Sequence, residues 1–95
     1  MTRSGYVYLM ANYRNGTTYL GVTGDLRRRA YEHRHGLIDG HSRKHGCKRI
    51  VWYMVFDDIQ EARRKELQMK KWHRRWKLRV IEEMNPNWDD LFETL

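Results

Sequence analysis

The dipeptide Asn15-Gly16 lies between two short runs of strand-forming residues, 6–11 (Tyr-Val-Tyr-Leu-Met-Ala) and 17–22 (Thr-Thr-Tyr-Leu-Gly-Val). Asn-Gly in that setting is a strong hairpin signal, because both central positions of a tight two-residue turn need positive φ. With Asn15 and Gly16 as the loop, Tyr19 is expected to oppose Asn12, and even positions of the first strand share a face with odd positions of the second. Tyr8 and Tyr19 therefore fall on one face of the sheet.

Beyond the hairpin, Thr23 to Asp25 offer capping side chains, and residues 26–35 read as a short helix stopped by Gly36. On that helix Arg29 and His33 are one turn apart, beside an apolar pair formed by Leu26 and Ala30. Residues 36–48 are rich in Gly, His and basic side chains, the composition of a loop able to close over a ligand. Residues 50–56 form the clearest strand of the chain. From Asp57 or Asp58, a natural cap, a helix is expected to reach about His73; a second carries Trp76, Leu78, Ile81 and Met84 until Asn85-Pro86 ends it. Ala62, Glu66, Met69 and His73 share helical spacing, which puts the Glu66 carboxylate on or beside an apolar stripe.

A chain of 95 residues has room for one core, so a single domain over residues 1–95 is expected, α+β in class, with a small three-stranded antiparallel sheet flanked by helices. Aromatics at 13% supply the burial, and the single Cys permits no internal bridge, which suits a reducing cytoplasm. No run approaches the roughly 20 apolar residues of a membrane span. The expectation is a cytoplasmic monomer with no membrane partner.

Charge is distributed in blocks. Residues 27–49 carry eight basic and two acidic side chains, residues 63–79 nine and one, and residues 82–95 none and five. Clustered cations interleaved with aromatics point to a polyanion, since they displace counterions condensed on a phosphate backbone. The excess of Arg over Lys favours phosphate, to which guanidinium presents a planar fork. The acidic tail, with Trp88, Leu91 and Phe92 as anchors, is expected to fold back on the body.

Two tyrosines on a sheet face, an Arg and a His one turn apart, and an isolated Glu in a basic helix suit phosphodiester hydrolysis, which needs a metal ligand, cationic stabilisation of phosphate and a group that activates water. Each signal has a plainer reading: core packing for the tyrosines, a solvated stripe for Arg29 and His33, and a salt bridge to Arg63 or Lys70 for Glu66. Their spacing resembles the GIY-YIG nuclease family. Tyr6-Val7-Tyr8 is similar to the family's first motif and Tyr19-Leu20-Gly21 to its second, with eleven positions from Tyr8 to Tyr19; Arg29 follows Gly21 by eight and His33 follows Arg29 by four. Glu66, in the run Arg63-Arg64-Lys65-Glu66-Leu67, resembles the metal-binding glutamate of the small stand-alone bacterial members, and Asn85-Pro86-Asn87-Trp88-Asp89-Asp90-Leu91 resembles their ending. Tyr6 stands where the family's name has Gly, although Gly5 is one position earlier.

The resemblance implies a metal-dependent endonuclease using Mg²⁺ or Mn²⁺, with Tyr8, Tyr19, Arg29, His33 and Glu66 catalytic and Glu66 the metal ligand. Physically, a nearby cation or metal would favour the Tyr8 phenolate as general base, with Tyr19 orienting it. Glu66 as sole carboxylate suits Mg²⁺, Arg29 would stabilise the phosphorane, and His33 would orient or relay a proton. Arg27, Arg28, Arg43, Lys44, Lys70, Lys71, Arg74 and Arg75 are expected to hold the strand by its backbone, with DNA, single-stranded or structured, favoured over RNA. His41 and His45 are further loop candidates. Two other readings stand beside this one: a non-catalytic nucleic-acid binding module of the same fold, and a zinc protein using His33, His35, His41, His45 and Cys47.

Overall fold

The structure is a computed structural model and describes residues 3–38 and 40–95. In chain order the elements are β1 (Gly5–Ala11), β2 (Thr18–Thr23), α1 (Leu26–Arg34), the one-turn α2 (His41–Lys44), β3 (Arg49–Phe56), α3 (Ile59–Lys70), α4 (Arg74–Met84) and a 3₁₀ turn (Leu91–Thr94). The strands form one antiparallel sheet in the order β2-β1-β3, an α+β arrangement as expected.

The hairpin differs from expectation in register. Tyr19 faces Met10, not Asn12, and Tyr8 faces Gly21. Asn12 has left the strand because its side chain serves the loop: Oδ1 accepts from the Tyr13 and Thr17 amides at 2.8 and 2.9 Å. Asn15 takes the left-handed conformation at φ 59°, and the Gly16 amide donates to the Tyr13 carbonyl at 2.9 Å. A longer loop results. The slip is by an even number of residues, so facial parity survives and Tyr8 and Tyr19 remain on one side.

Strand alternation divides the core. Val7, Leu9 and Ala11 pack with Val51, Trp52, Ala62, Met69, Ile81 and Trp88, the side covered by α3 and α4. Tyr8 and Met10 pack with Ile50, Leu26, Ala30 and Cys47, the side covered by α1 and by Leu91 and Phe92 of the tail. A bulge in the β1–β3 pairing between Leu9 and Met10 lets the adjacent Val51 and Trp52 join the same cluster. Gly5 permits the close seat of α3: a Cβ there would lie 2.7 Å from the Ile59 Cα. The glycine just before Tyr6 is thus needed for helix–strand approach.

Residues 36–48 are not wholly loop, since α2 occupies part of them. The side chain of His41 lies outside the described residues. The apolar stripe of α3 holds for Ala62, Glu66 and Met69, all buried. His73 departs from it, because the Lys71 and Trp72 amides close onto the Gln68 and Met69 carbonyls and end α3, leaving His73 exposed at the start of α4.

The acidic tail folds back through specific bonds. The Asn85 amide donates to the Val51 carbonyl at 3.1 Å and to the Asp89 carbonyl at 2.8 Å, and its Oδ1 accepts from the Asp89 amide at 3.0 Å. Asp90 accepts from the Ile50 and Phe92 amides and pairs with Arg34, whose guanidinium lies 4.4 Å from the Phe92 ring centre. Arg49 donates to the carbonyl of the buried Trp88 at 3.0 Å. Asn85 thereby satisfies a carbonyl freed by the bulge. Asn85→Ala leaves that buried carbonyl and the Asp89 groups without this partner and is expected to destabilise the fold by about 2–3 kcal/mol, read from urea unfolding.

Candidate active site on the hairpin face

Tyr8 is at the centre of the middle strand and is 2% exposed. Its ring crosses Gly21 on β2; a Cβ at that position would overlap the phenol, with the ring's ε carbon 2.9 Å away. That absence of a side chain lets the hydroxyl reach His33 Nε2, 3.0 Å away on α1. Asp25 caps α1 by accepting from the Arg28 amide at 3.2 Å, which fixes where the helix begins and so where His33 points. The Tyr19 ring lies 5.1 Å from the His33 ring and 6.4 Å from the Tyr8 ring, so the three rings that the family resemblance grouped in one site converge.

Arg29, one turn before His33, has its Nε 3.4 Å from Glu32 Oε1, and Arg28 lies 3.8 Å from the other oxygen. Glu32 escaped the sequence reading, although an acidic residue among three arginines at helical spacing was a visible signal. Arg3 also escaped it and carried no signal, being remote from both basic blocks. Its guanidinium packs over Gly24, and with Thr23, Asp25, Arg28, Arg29 and Glu32 it lines a cavity of about 190 Å³.

Burial dominates the electrostatics. It pushes the Tyr8 phenol well above the ordinary tyrosine range, with the Tyr19 phenol and the Glu32 and Glu66 carboxylates adding to the rise, and Arg29 opposing only in part. Burial likewise pushes His33 down to about 4, with Arg29 reinforcing and Glu32 opposing. The pair at neutral pH is a neutral phenol and a neutral imidazole. The expected cation-stabilised phenolate does not describe the protein alone, because desolvation outweighs Arg29.

Glu66 is 8% exposed, and its charge is felt by Tyr8. Its Oε1 binds Lys70 Nζ at 2.7 Å, which raises the Lys70 ammonium above its usual value. Among the described residues no three His, Cys, Asp or Glu side chains gather as a metal group. A single carboxylate whose charge reaches Tyr8 is a donor that fits a hydrated Mg²⁺ or Mn²⁺ completed by substrate phosphate, not a closed protein cage. Cys47 is buried with Sγ 3.5 Å from the Thr17 carbonyl, and His45 is exposed.

The expected strand-holding residues divide. All eight are exposed, Arg28 beside Glu32, but Lys70, Arg27 and Arg74 also have partners elsewhere in the fold. Lys70 pairs with Glu66, Arg27 donates to the Leu95 carbonyl at 2.8 Å, and Arg74 donates to the Asn15 and Gly16 carbonyls at 2.8 and 2.6 Å. Arg74 thus ties α4 to the hairpin loop. Because the His33 pKa in the fold lies below that of an unfolded histidine, its neutral form stabilises the protein above about pH 6.5, and that contribution is lost as pH falls toward 4. Wild-type stability in urea should drop by about 2–3 kcal/mol more between pH 7 and 4.5 than that of His33→Gln, which has no proton to gain there.

The sequence matches the family described as the GIY-YIG catalytic domain over residues 4–79. A UPF0213 protein of Clostridium perfringens is 30% identical across 80% of this chain and 81% of its own length, and one of Staphylococcus saprophyticus is 27% identical across 82% and 94%. The solution NMR structure of a UPF0213 protein from Bacillus halodurans superposes with a TM-score of 0.56, 29% identity and 92% coverage of each chain. With its two tyrosines, α1 arginine and histidine placed on that shared fold, the chain belongs to the GIY-YIG family, whose members are generally nucleases.

Proposed function

We propose that this protein is a metal-dependent endonuclease that hydrolyses phosphodiester bonds in DNA, single-stranded or structured, working in the cytoplasm as a monomeric domain. The observation that carries the reading is the Tyr8 hydroxyl 3.0 Å from Nε2 of a neutral, buried His33, with Arg29 one helical turn away.

In this reading the imidazole accepts the phenol's proton as Tyr8 takes one from the attacking water, so neither group need be charged beforehand. The low proton affinity of His33 in the free protein rises when an anionic phosphate lies beside it, because added negative charge favours imidazolium. Tyr19 orients the water or the phenol. Arg29, held by Glu32, stabilises the charge that develops on the phosphorane oxygens. Glu66 would hold Mg²⁺ or Mn²⁺, which when bound neutralises phosphate charge. Arg28, Arg43, Lys44, Lys71 and Arg75 grip the backbone on either side, and Lys70 is poised between Glu66 and the substrate.

The Glu66–Lys70 bond favours a second reading of Glu66, as a salt-bridge partner only. A cleavage assay with single-stranded, duplex and flap DNA and with RNA separates the two. Under the nuclease reading Glu66→Ala stops cleavage at every Mg²⁺ or Mn²⁺ concentration while binding persists, and Tyr8→Phe slows cleavage by roughly 10²–10⁴-fold. A folded Glu66→Ala protein that cuts in the presence of metal contradicts the assignment, and binding without turnover by the wild type would make this a non-catalytic module.

A further inference from the structure

Trp76 is 55% exposed, although a large indole on a small domain normally finds cover. It sits on α4 with basic side chains before and after it. The Arg79 guanidinium lies 5.9 Å from its ring centre, and Trp72, in the turn between α3 and α4, lies 6.4 Å away with Lys65 over its own ring at 5.1 Å. A groove of about 410 Å³ is lined by His73, Arg74, Arg75 and Trp76, and a smaller one of about 110 Å³ by Arg75, Trp76 and Arg79. The platform is not a loose flap: Arg74 anchors the start of α4 to the hairpin loop, and Ile81 anchors its later turns in the core.

We propose that Trp76, flanked by Arg75 and Arg79, is a stacking site for an unpaired base of the polynucleotide whose backbone is cut at Tyr8 and His33. The proposal rests on the nuclease reading and deepens it by naming a single-stranded segment next to the cut. Charge selects the occupant. The two grooves at the indole are lined by His73, Arg74, Arg75 and Arg79 and, among the described residues, by no carboxylate, Glu82 and Glu83 lining the next groove along α4. A second copy seated on the indole would therefore set cations against cations, whereas a nucleic-acid strand brings phosphates to them and a π-face to the indole. Lys70, bonded to Glu66, and Lys71 directly precede Trp72, whose ring lies 6.4 Å from that of Trp76. A base stacked there is read by shape without sequence preference, because every base has a flat face.

The test compares wild type, Trp76→Ala and Trp76→Phe by fluorescence anisotropy with labelled oligothymidylate and with an abasic oligomer of the same length. Trp76→Ala should weaken oligothymidylate binding about tenfold, leave abasic binding and the salt slope unchanged, and Trp76→Phe should restore most of the loss. Circular dichroism melting confirms that each variant is folded. Equal affinity of Trp76→Ala and wild type for oligothymidylate overturns the stacking site, as does an equal loss on both probes. If the platform fails in this way while wild type cleaves and Glu66→Ala does not, the nuclease reading stands without it; if wild type binds no polynucleotide, both fall. Sedimentation showing a dimer that Trp76→Ala dissociates, with oligomer affinity unchanged, assigns the face to a second copy and overturns the proposal.

Discussion

Everything distinctive about this site depends on a phenol crossing a bare strand. Tyr8 can reach His33 only because Gly21, its cross-strand partner, has no Cβ in the path of the ring. The contact joins β1, β2 and α1 at one point. Burial then makes both groups neutral, and that has a chemical consequence. A buried phenolate would be costly, whereas a neutral phenol bonded to a neutral imidazole is comfortable at rest; in the proposed reaction it shifts a proton when an anion arrives. The resting site is preorganised without storing charge.

The second constraint is the tail. The bulge that steers Val51 and Trp52 into one cluster breaks the regular ladder, and Asn85 and Asp90 repair it by bonding the Val51 carbonyl and the Ile50 amide. Arg34 extends the same repair to the end of α1 through Asp90 and Phe92. The residues that resemble a family ending are therefore a physical part of the sheet, and they tether the helix that carries Arg29 and His33. Acidic charge at the end of a basic chain has a structural use here as well as an electrostatic one.

Much of this was legible in the sequence, for reasons that differ by element. Alternation is robust, so the shared face of Tyr8 and Tyr19 survived a wrong loop length; register is fragile, since the Asn12 side chain, not the Asn-Gly pair alone, decided where the strands end. Helical spacing correctly placed His33 a turn after Arg29 and Glu66 on the buried stripe of α3, but failed at His73, where the helix had already closed. The sign of the Tyr8 shift was not legible, because it depends on how deeply the ring is buried, and periodicity carries no depth. Nor could composition distinguish an arginine that faces solvent from one that holds a loop: Arg75 and Arg74 are adjacent, and only the second is tied to backbone carbonyls. Arg3 joined the site purely through tertiary packing.

The proposed mechanism requires that His33 rest as a neutral imidazole whose Nε2 accepts a hydrogen bond from the Tyr8 hydroxyl. A nitrogen-15 and proton NMR titration of the labelled side chain reads both the tautomer and the pKa directly. The account predicts a proton on Nδ1, an unprotonated Nε2 at neutral pH, and titration near pH 4. A His33 that titrates near the ordinary 6.5, or that carries its neutral proton on Nε2, contradicts it.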